Sequence, residues 1–222
     1  NQKINQVKEI AKKFKLSQEP VFLSDPKKYA NLWAIRKGIF PSVGAAREIG
    51  TTVIIEDVAF EIKDLAEGII KLQELFKKHN YNEATIFGHV LDGNIHFVFT
   101  QDFSIKSEVK RYEAFMEDVC NLVAIEYGGS LKAEHRTGRN MAPFVELEWG
   151  SDAYELMKKI KEIFDPNNIL NPGVIINNDK KSHITNLKSM TQFNDIADKC
   201  IECGFCEPVC PSKDLTLTPR QR

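Results

Sequence analysis

Apolar residues recur at helical spacing in five stretches of the chain. Val7, Ile10 and Phe14 mark the first stretch, and lysines occupy the faces between them. The second helix should begin at Asp25-Pro26, because aspartate caps a first turn and proline suits the first helical position. The predicted helices cover residues 7–14, 26–36, 62–76, 109–123 and 151–163.

Glycine, proline and serine mark where these helices should start and stop. Gly38 and Pro41 should end the second helix, and Gly128-Gly129 should close the fourth. Ser151 is the expected cap of the fifth helix, which Asp165-Pro166 should end.

Short stretches rich in β-branched and aromatic residues lie between the helices. The predicted strands cover residues 51–58, 84–87, 95–99 and 130–133. Glu56-Asp57 should interrupt the first strand, and Asp92-Gly93-Asn94 is a strong signal for a hairpin turn. Because no parallel crossover pattern repeats, we expect an α+β fold, an antiparallel sheet with helices packed on one face.

Composition indicates a globular protein and argues against several classes of function. The 222 residues are 42% hydrophobic, which is enough to bury a core. With 30 basic and 31 acidic residues, the net charge of -1 gives no reason to expect binding to nucleic acid or an anionic membrane. No apolar run suggests a transmembrane segment or a signal peptide. A polar stretch, residues 176–198, reads as a linker in which His183 should be solvated.

Two histidines frame the predicted turn. On an unbroken strand, His89 and His96 would point to opposite faces because their separation is odd. A tight reversal at Gly93 can bring both imidazoles together. Two neutral imidazoles suit zinc, manganese or iron, which accept imidazole together with carboxylate ligands. The alternative is that each histidine satisfies a hydrogen bond in the core.

A run of four cysteines carries the second candidate chemistry. Its spacing, C-x2-C-x2-C-x3-C-P, matches the bacterial ferredoxin run for a 4Fe-4S cluster better than it matches a structural zinc site. In two-cluster domains the fourth cysteine binds the other cluster, so we expect a further ligand beyond Arg222. Free thiolates indicate a reducing compartment, and Cys120, outside the run, should pack in the core. The run consists of Cys200, Cys203, Cys206 and Cys210.

Five motifs occur in a fixed order along the chain. They are Gly-His-x-x-Asp-Gly-Asn-x-His at 88–96, Glu134-His135, Thr137-Gly138-Arg139, Phe164-Asp165-Pro166 and Leu170-Asn171-Pro172-Gly173. Together they resemble the C-terminal, substrate-side domain of FAD-linked D-2-hydroxy acid dehydrogenases. The cysteine run that follows resembles the D-lactate dehydrogenase-like branch, in which an iron-sulfur domain is fused after the flavoprotein.

The resemblance implies a set of site residues. It implies that His135 is the general base, which takes the substrate hydroxyl proton while a bound metal lowers the hydroxyl pKa. Arg36 would hold the substrate carboxylate, with a salt bridge as the alternative. Asn94 and Asn171 would approach the flavin or orient the turns. The implied metal ligands are His89, His96 and Glu134.

Three positions depart from the family pattern. Leu91 and Arg136 stand where the family often has glycine, and Arg136 brings bulk and charge beside the implied base. Ile55 lies where relatives that oxidise hydroxyglutarate carry a polar contact, which argues weakly against that substrate.

These features predict a fragment of a flavin and iron-sulfur dehydrogenase that oxidises a D-2-hydroxy acid and passes electrons to an acceptor such as a quinone. We expect a substrate-side domain at 1–175, a linker at 176–198 and the start of a helical ferredoxin-like domain at 199–222. The family's FAD is held chiefly by an N-terminal domain, so the fragment alone should be inactive. We expect a cytoplasmic location, or peripheral attachment to the inner membrane. The alternative is a metal-binding electron-relay subunit that docks to a separate flavoprotein.

Overall fold

The computed structural model describes residues 2–217 and separates into two units, with the boundary between Ser42 and Val43. The first helix, α1, spans Gln2–Ala11, and its expected core residues stay largely exposed. The second, α2, spans Pro26–Ala46 and crosses the boundary. The backbone N–H of Lys27 donates to Asp25 Oδ1 at 2.9 Å, which confirms the predicted cap.

The predicted end of α2 is wrong. The helix continues through both Gly38 and Pro41 to Ala46. Proline removes one backbone hydrogen-bond donor, and glycine lowers helix propensity. A 21-residue helix tolerates both costs without ending at either residue.

A three-stranded antiparallel sheet forms the centre of the second unit. Its strands are β1 (Thr52–Ala59), β2 (Thr85–His89) and β3 (Asn94–Gln101). They are arranged in the order β1-β3-β2, so that β3 is central. Helices accompany this sheet, which confirms the predicted α+β class. Glu56-Asp57 does not interrupt β1, because both side chains find buried partners, as described below.

Two helices, α3 (Leu65–Lys78) and α4 (Lys106–Cys120), bury their apolar faces in one core with the sheet. A π-helical turn, Asn121–Glu126, extends α4. Cys120 is fully buried in this core, as predicted, and burial raises the pKa of its thiol well above the usual value. The aromatic centre of the core consists of Phe76, Tyr81, Phe97, Phe99 and Phe115.

Two further helices follow, α5 (Val145–Trp149) and α6 (Ser151–Phe164). Ser151 is not the cap of α6, because Gly150, with a φ of +79°, holds that position and the Ser151 hydroxyl donates to Glu146 instead. The strand predicted at residues 130–133 reduces to one bridge between Ser130 and Ala59, after which the chain leaves the sheet.

The polar stretch after residue 176 is partly docked on the domain. A 3₁₀ turn, Ser182–Ile184, buries His183, which is only 5% exposed and packs against Phe144 at 5.0 Å between ring centroids. The prediction that His183 is solvated is therefore wrong, since the neighbouring Ile184 packs against the core and the Ser182 hydroxyl donates to the Arg139 carbonyl. Of two more 3₁₀ turns, Ala197–Lys199 directly precedes the cysteine run and Glu207–Val209 lies between its third and fourth cysteines.

Within residues 2–217, no helix has both the length and the apolar character needed to cross a membrane.

Candidate metal and catalytic site

The hairpin between β2 and β3 brings the two histidines to one face of the sheet. Phe87 pairs with His96 and His89 pairs with Asn94, so both imidazoles project from the same side. Their ring centroids lie 5.6 Å apart. Gly93 makes the reversal possible, since its φ is +67° and a Cβ there would lie 2.0 Å from a backbone oxygen.

Glu134 closes this group from a loop that crosses the same face. Its Oε1 lies 2.7 Å from His96 Nε2 and 3.6 Å from His89 Nε2. One ligand atom from each of these three residues lies within 4.8 Å of the other two. Among the residues that the structure describes, no other trio of histidine, cysteine or acidic side chains meets that criterion. The predicted metal ligands are thus brought together, and small side-chain movements would close them around one ion.

The site is open on one side. The His96 side chain is 3% exposed and forms the floor, whereas His89 and Glu134 are 41% and 49% exposed. Burial lowers the pKa of His96, which favours the neutral imidazole that a metal requires. A small ligand can therefore reach the group from solvent.

His135, the predicted base, lies beside the trio. Its ring stacks on that of His96 with 4.7 Å between centroids and 10° between planes. Its Nε2 lies 3.5 Å from Glu134 Oε1, and the side chain is 38% exposed. This position leaves His135 able to exchange a proton with a molecule held by the trio.

Asp57 organises the group from beneath. The residue is fully buried, and its Oδ2 accepts the backbone N–H groups of Glu134 at 2.7 Å and His135 at 2.8 Å. Its Oδ1 accepts the amide of Asn94 at 2.5 Å and lies 3.5 Å from His96 Nδ1. Burial alone would raise the pKa of Asp57, but the backbone and amide hydrogen bonds outweigh it and hold the pKa below the usual value.

A buried ion pair holds the loop from its other side. Glu56 accepts the ammonium of Lys132 and the side-chain amide of Asn140, the latter at 2.9 Å. Lys132 and Asn140 flank the loop segment that carries Glu134 and His135. Both ends of that segment are therefore fixed to strand β1.

Sequence reasoning missed Asp57 and Glu56, which it interpreted as an interruption of a strand. The available signal was their setting, since two adjacent acids inside a β-branched run must find buried partners if the strand continues.

The other three predicted site residues are Asn94, which lies beneath the trio, and Asn171 and Arg36, which lie elsewhere. Asn94 is buried and donates to Asp57 and to the Val58 carbonyl, so it supports the turn. Asn171 is exposed at a φ of +44° and, with Thr137, lines a mostly apolar cavity of about 580 Å³. Arg36 belongs to the first unit, where its guanidinium lies 5.6 Å from the centroid of the Trp33 ring.

The cysteine run, residues 200–210, forms a loop without strands, and its four cysteines are not joined in disulfides. Left-handed backbone at Glu202 and Gly204 curls the chain between the first and third cysteines. The N–H of Glu202 donates to Cys200 Sγ at 3.4 Å, a contact that stabilises a thiolate ligand. Four thiols in this spacing on a curled loop are a donor set that suits an iron-sulfur cluster.

Comparison with known families and proteins gives two matches to families. The family described as FAD linked oxidases, C-terminal domain, matches residues 1–175. The 4Fe-4S binding domain matches residues 194–215.

Several characterised proteins are similar to part of the chain. The glycolate oxidase subunit GlcD of Bacillus subtilis is 32% identical over 143 residues, 64% of this chain and 30% of that protein. D-lactate dehydrogenase of Anaerostipes hadrus is 30% identical over 145 residues, 64% of this chain and 29% of that protein. The mitochondrial D-lactate dehydrogenase [cytochrome] of Arabidopsis thaliana is 30% identical over 170 residues, 77% of this chain and 29% of that protein. In each case the matched region is less than a third of the relative's length.

Proposed function

The chain belongs to the family of FAD linked oxidases, of which it carries the C-terminal domain, and from this we propose that it is part of a flavin and iron-sulfur dehydrogenase that oxidises a D-2-hydroxy acid such as D-lactate. The observation that carries the proposal is the convergence of His89, His96 and Glu134 beside His135 on one solvent-accessible face.

Two groups would complete the site. A divalent zinc, manganese or iron ion would be held by His89, His96 and Glu134, and when bound it supplies a Lewis acid that lowers the pKa of the substrate hydroxyl. The two imidazoles and one carboxylate fit such an ion, and three protein ligands leave positions for the substrate. FAD would be held chiefly by the N-terminal domain that the family resemblance implies, and when bound it would supply the acceptor for hydride from the substrate C2.

The chain's own residues then have distinct tasks. His135 takes the hydroxyl proton on Nε2, since that atom lies 3.5 Å from Glu134 Oε1 and the side chain is 38% exposed. Asp57 fixes the backbone of Glu134 and His135 so that both side chains face the substrate. Asn171 contributes to the flavin side of the pocket.

Electrons would leave through clusters held by the cysteine run. Cys200, Cys203, Cys206 and Cys210 would ligate 4Fe-4S clusters in the region 199–222, joined to the substrate-side domain 1–175 by the linker 176–198. An acceptor such as a quinone would receive them.

The test is anaerobic reduction of the flavin in the complete holoenzyme. D-lactate should bleach the flavin absorbance in a single turnover, and L-lactate should not. The His135→Gln variant should slow that reduction by at least about 100-fold while it still binds manganese, because only the proton acceptor is removed.

Two results would contradict the proposal. One is flavin reduction at the wild-type rate in His135→Gln. The other is a protein that no D-2-hydroxy acid reduces but that takes electrons from a separate reduced flavoprotein, which would identify a relay subunit.

A further inference from the structure

Arg47, just after α2, uses all five of its guanidinium N–H groups on backbone carbonyls. Two of these bonds are local. Nε donates to the Thr51 carbonyl at 2.9 Å, and Nη1 donates to the Gly44 carbonyl at 2.9 Å. These two contacts tie the C-terminal end of α2 to the start of β1.

The other three bonds reach a distant part of the chain. Nη1 donates to the Lys199 carbonyl at 3.2 Å, and Nη2 donates to the carbonyls of Asp198 at 2.6 Å and Cys200 at 3.1 Å. Capping a helix requires none of these contacts. The guanidinium fork therefore binds three consecutive residues that end at the first cysteine of the cluster run.

A second contact holds Ile201, the residue after Cys200. Ile201 packs on Gly44, where a Cβ would lie 2.3 Å from the Ile201 Cδ1. Gly44 is buried, so the absence of a side chain there makes room for Ile201. Beyond it, Glu202 forms an ion pair with Lys188.

We propose that Arg47 and Gly44 form a docking socket that holds the first cluster cysteine on the oxidase domain, and that Arg47 is a positioning residue for electron transfer. This inference rests on the proposed function only in assuming that the cysteine run binds a cluster. The socket holds the segment by its backbone, so it fixes where Cys200 lies without contributing a ligand.

The socket lies at the end of β1 opposite the catalytic group. Asp57 lies five positions after Thr52 along the strand, which corresponds to about 17 Å. The same rigid strand therefore supports the metal site at one end and the cluster segment at the other.

The charge of Arg47 has a separate consequence. A cation beside the Cys200 backbone stabilises the more negative, reduced form of a cluster and so raises its reduction potential. Geometry and charge can be separated by substitution, because Arg47→Lys keeps the charge but cannot bridge five carbonyls, and Arg47→Gln loses both.

The experiment is amide hydrogen exchange of the holoprotein and its variants, combined with potentiometric titration of the cluster. In both Arg47 variants we expect the amides of residues 198–203 to exchange at least about tenfold faster, while those of β3 are unchanged. The potential should fall in Arg47→Gln and fall less in Arg47→Lys. Gly44→Ala should speed exchange in the same segment by displacing Ile201, with little change in potential.

Arg111→Gln is the matched control. Arg111 also donates to backbone carbonyls, those of His79 and Asn80, but it does not contact the cluster segment. Unchanged exchange of residues 198–203 in Arg47→Gln and Gly44→Ala would overturn the socket. If the wild-type chain binds no cluster, that part of the proposed function fails, but exchange in the unloaded chain still tests the socket.

Discussion

Replacement of Asp57 by asparagine should weaken metal binding without touching a ligand. Asp57 accepts the N–H groups of Glu134 and His135 on Oδ2 and the Asn94 amide on Oδ1. Asparagine has one carbonyl oxygen, so whichever way it turns, its NH₂ faces a donor. At least one charge-assisted hydrogen bond is lost, and such bonds contribute about 1.5–3 kcal/mol each.

Part of the lost free energy weakens metal binding, because the loop that carries the ligand Glu134 is no longer held in place. We expect the affinity for manganese to fall by about 10- to 100-fold, as is typical when the residues that orient metal ligands are changed. Competition with a fluorescent chelator measures this affinity. Thermal unfolding, measured in parallel, separates a local effect from a global one.

Asp102→Asn is the matched control. Asp102 also accepts a backbone N–H and a side-chain donor, both from Ser104, but it lies outside the site. Its substitution should leave metal affinity unchanged. If Asp57→Asn binds manganese within about threefold of wild type, Asp57 does not position the ligands, and the account of the loop is wrong.

Three further predictions concern the surroundings of the site. Arg136 has a φ of +62°, so Arg136→Gly should relieve about 1–2 kcal/mol of backbone strain, partly offset by the greater conformational freedom of glycine in the unfolded chain. The variant should have a higher melting temperature and a higher turnover in the holoenzyme, whereas a sharp loss of kcat/KM would identify Arg136 as a substrate contact. Lys132→Met should destabilise the fold by about 3–5 kcal/mol in denaturant titrations, because it leaves the buried Glu56 carboxyl without its ammonium partner, and Glu56→Leu in the same chain should restore much of the lost stability. Burial lowers the pKa of His183 below its unfolded value, so the neutral imidazole contributes fully to stability above about pH 6.5, and this contribution is lost as pH falls. His183→Leu should therefore reduce the fall in melting temperature between about pH 7 and about pH 5, and an equal fall in the variant and the wild type would refute this.

The hairpin could be predicted from sequence because its information is local. Gly93 is the turn glycine, and the reversal it permits places His89 and His96 on one face. The α+β class followed in the same way from periodicity. Local patterns also placed α3, α4 and α6 close to their observed bounds.

What failed depends on contacts between distant residues. Glu56 and Asp57 look unsuited to a buried strand until Lys132 and the Glu134 backbone supply their partners. His183 lies in a polar stretch, and only the position of Phe144 shows why it is buried. The β-branched run around Glu56 and Asp57 indicates that the two acids need buried partners, but a single sequence does not identify the partner residues in either case.

Electron paramagnetic resonance of manganese can show whether His89, His96 and Glu134 hold one divalent metal ion. Manganese suits imidazole and carboxylate ligands and binds thiolates poorly, so the cysteine run should not compete. Titration of the 222-residue chain should show one bound ion, lost in both His89→Ala and Glu134→Gln and retained in the matched variant His79→Ala. Absence of binding to the wild-type chain, or undiminished binding in the two site variants, would contradict the account.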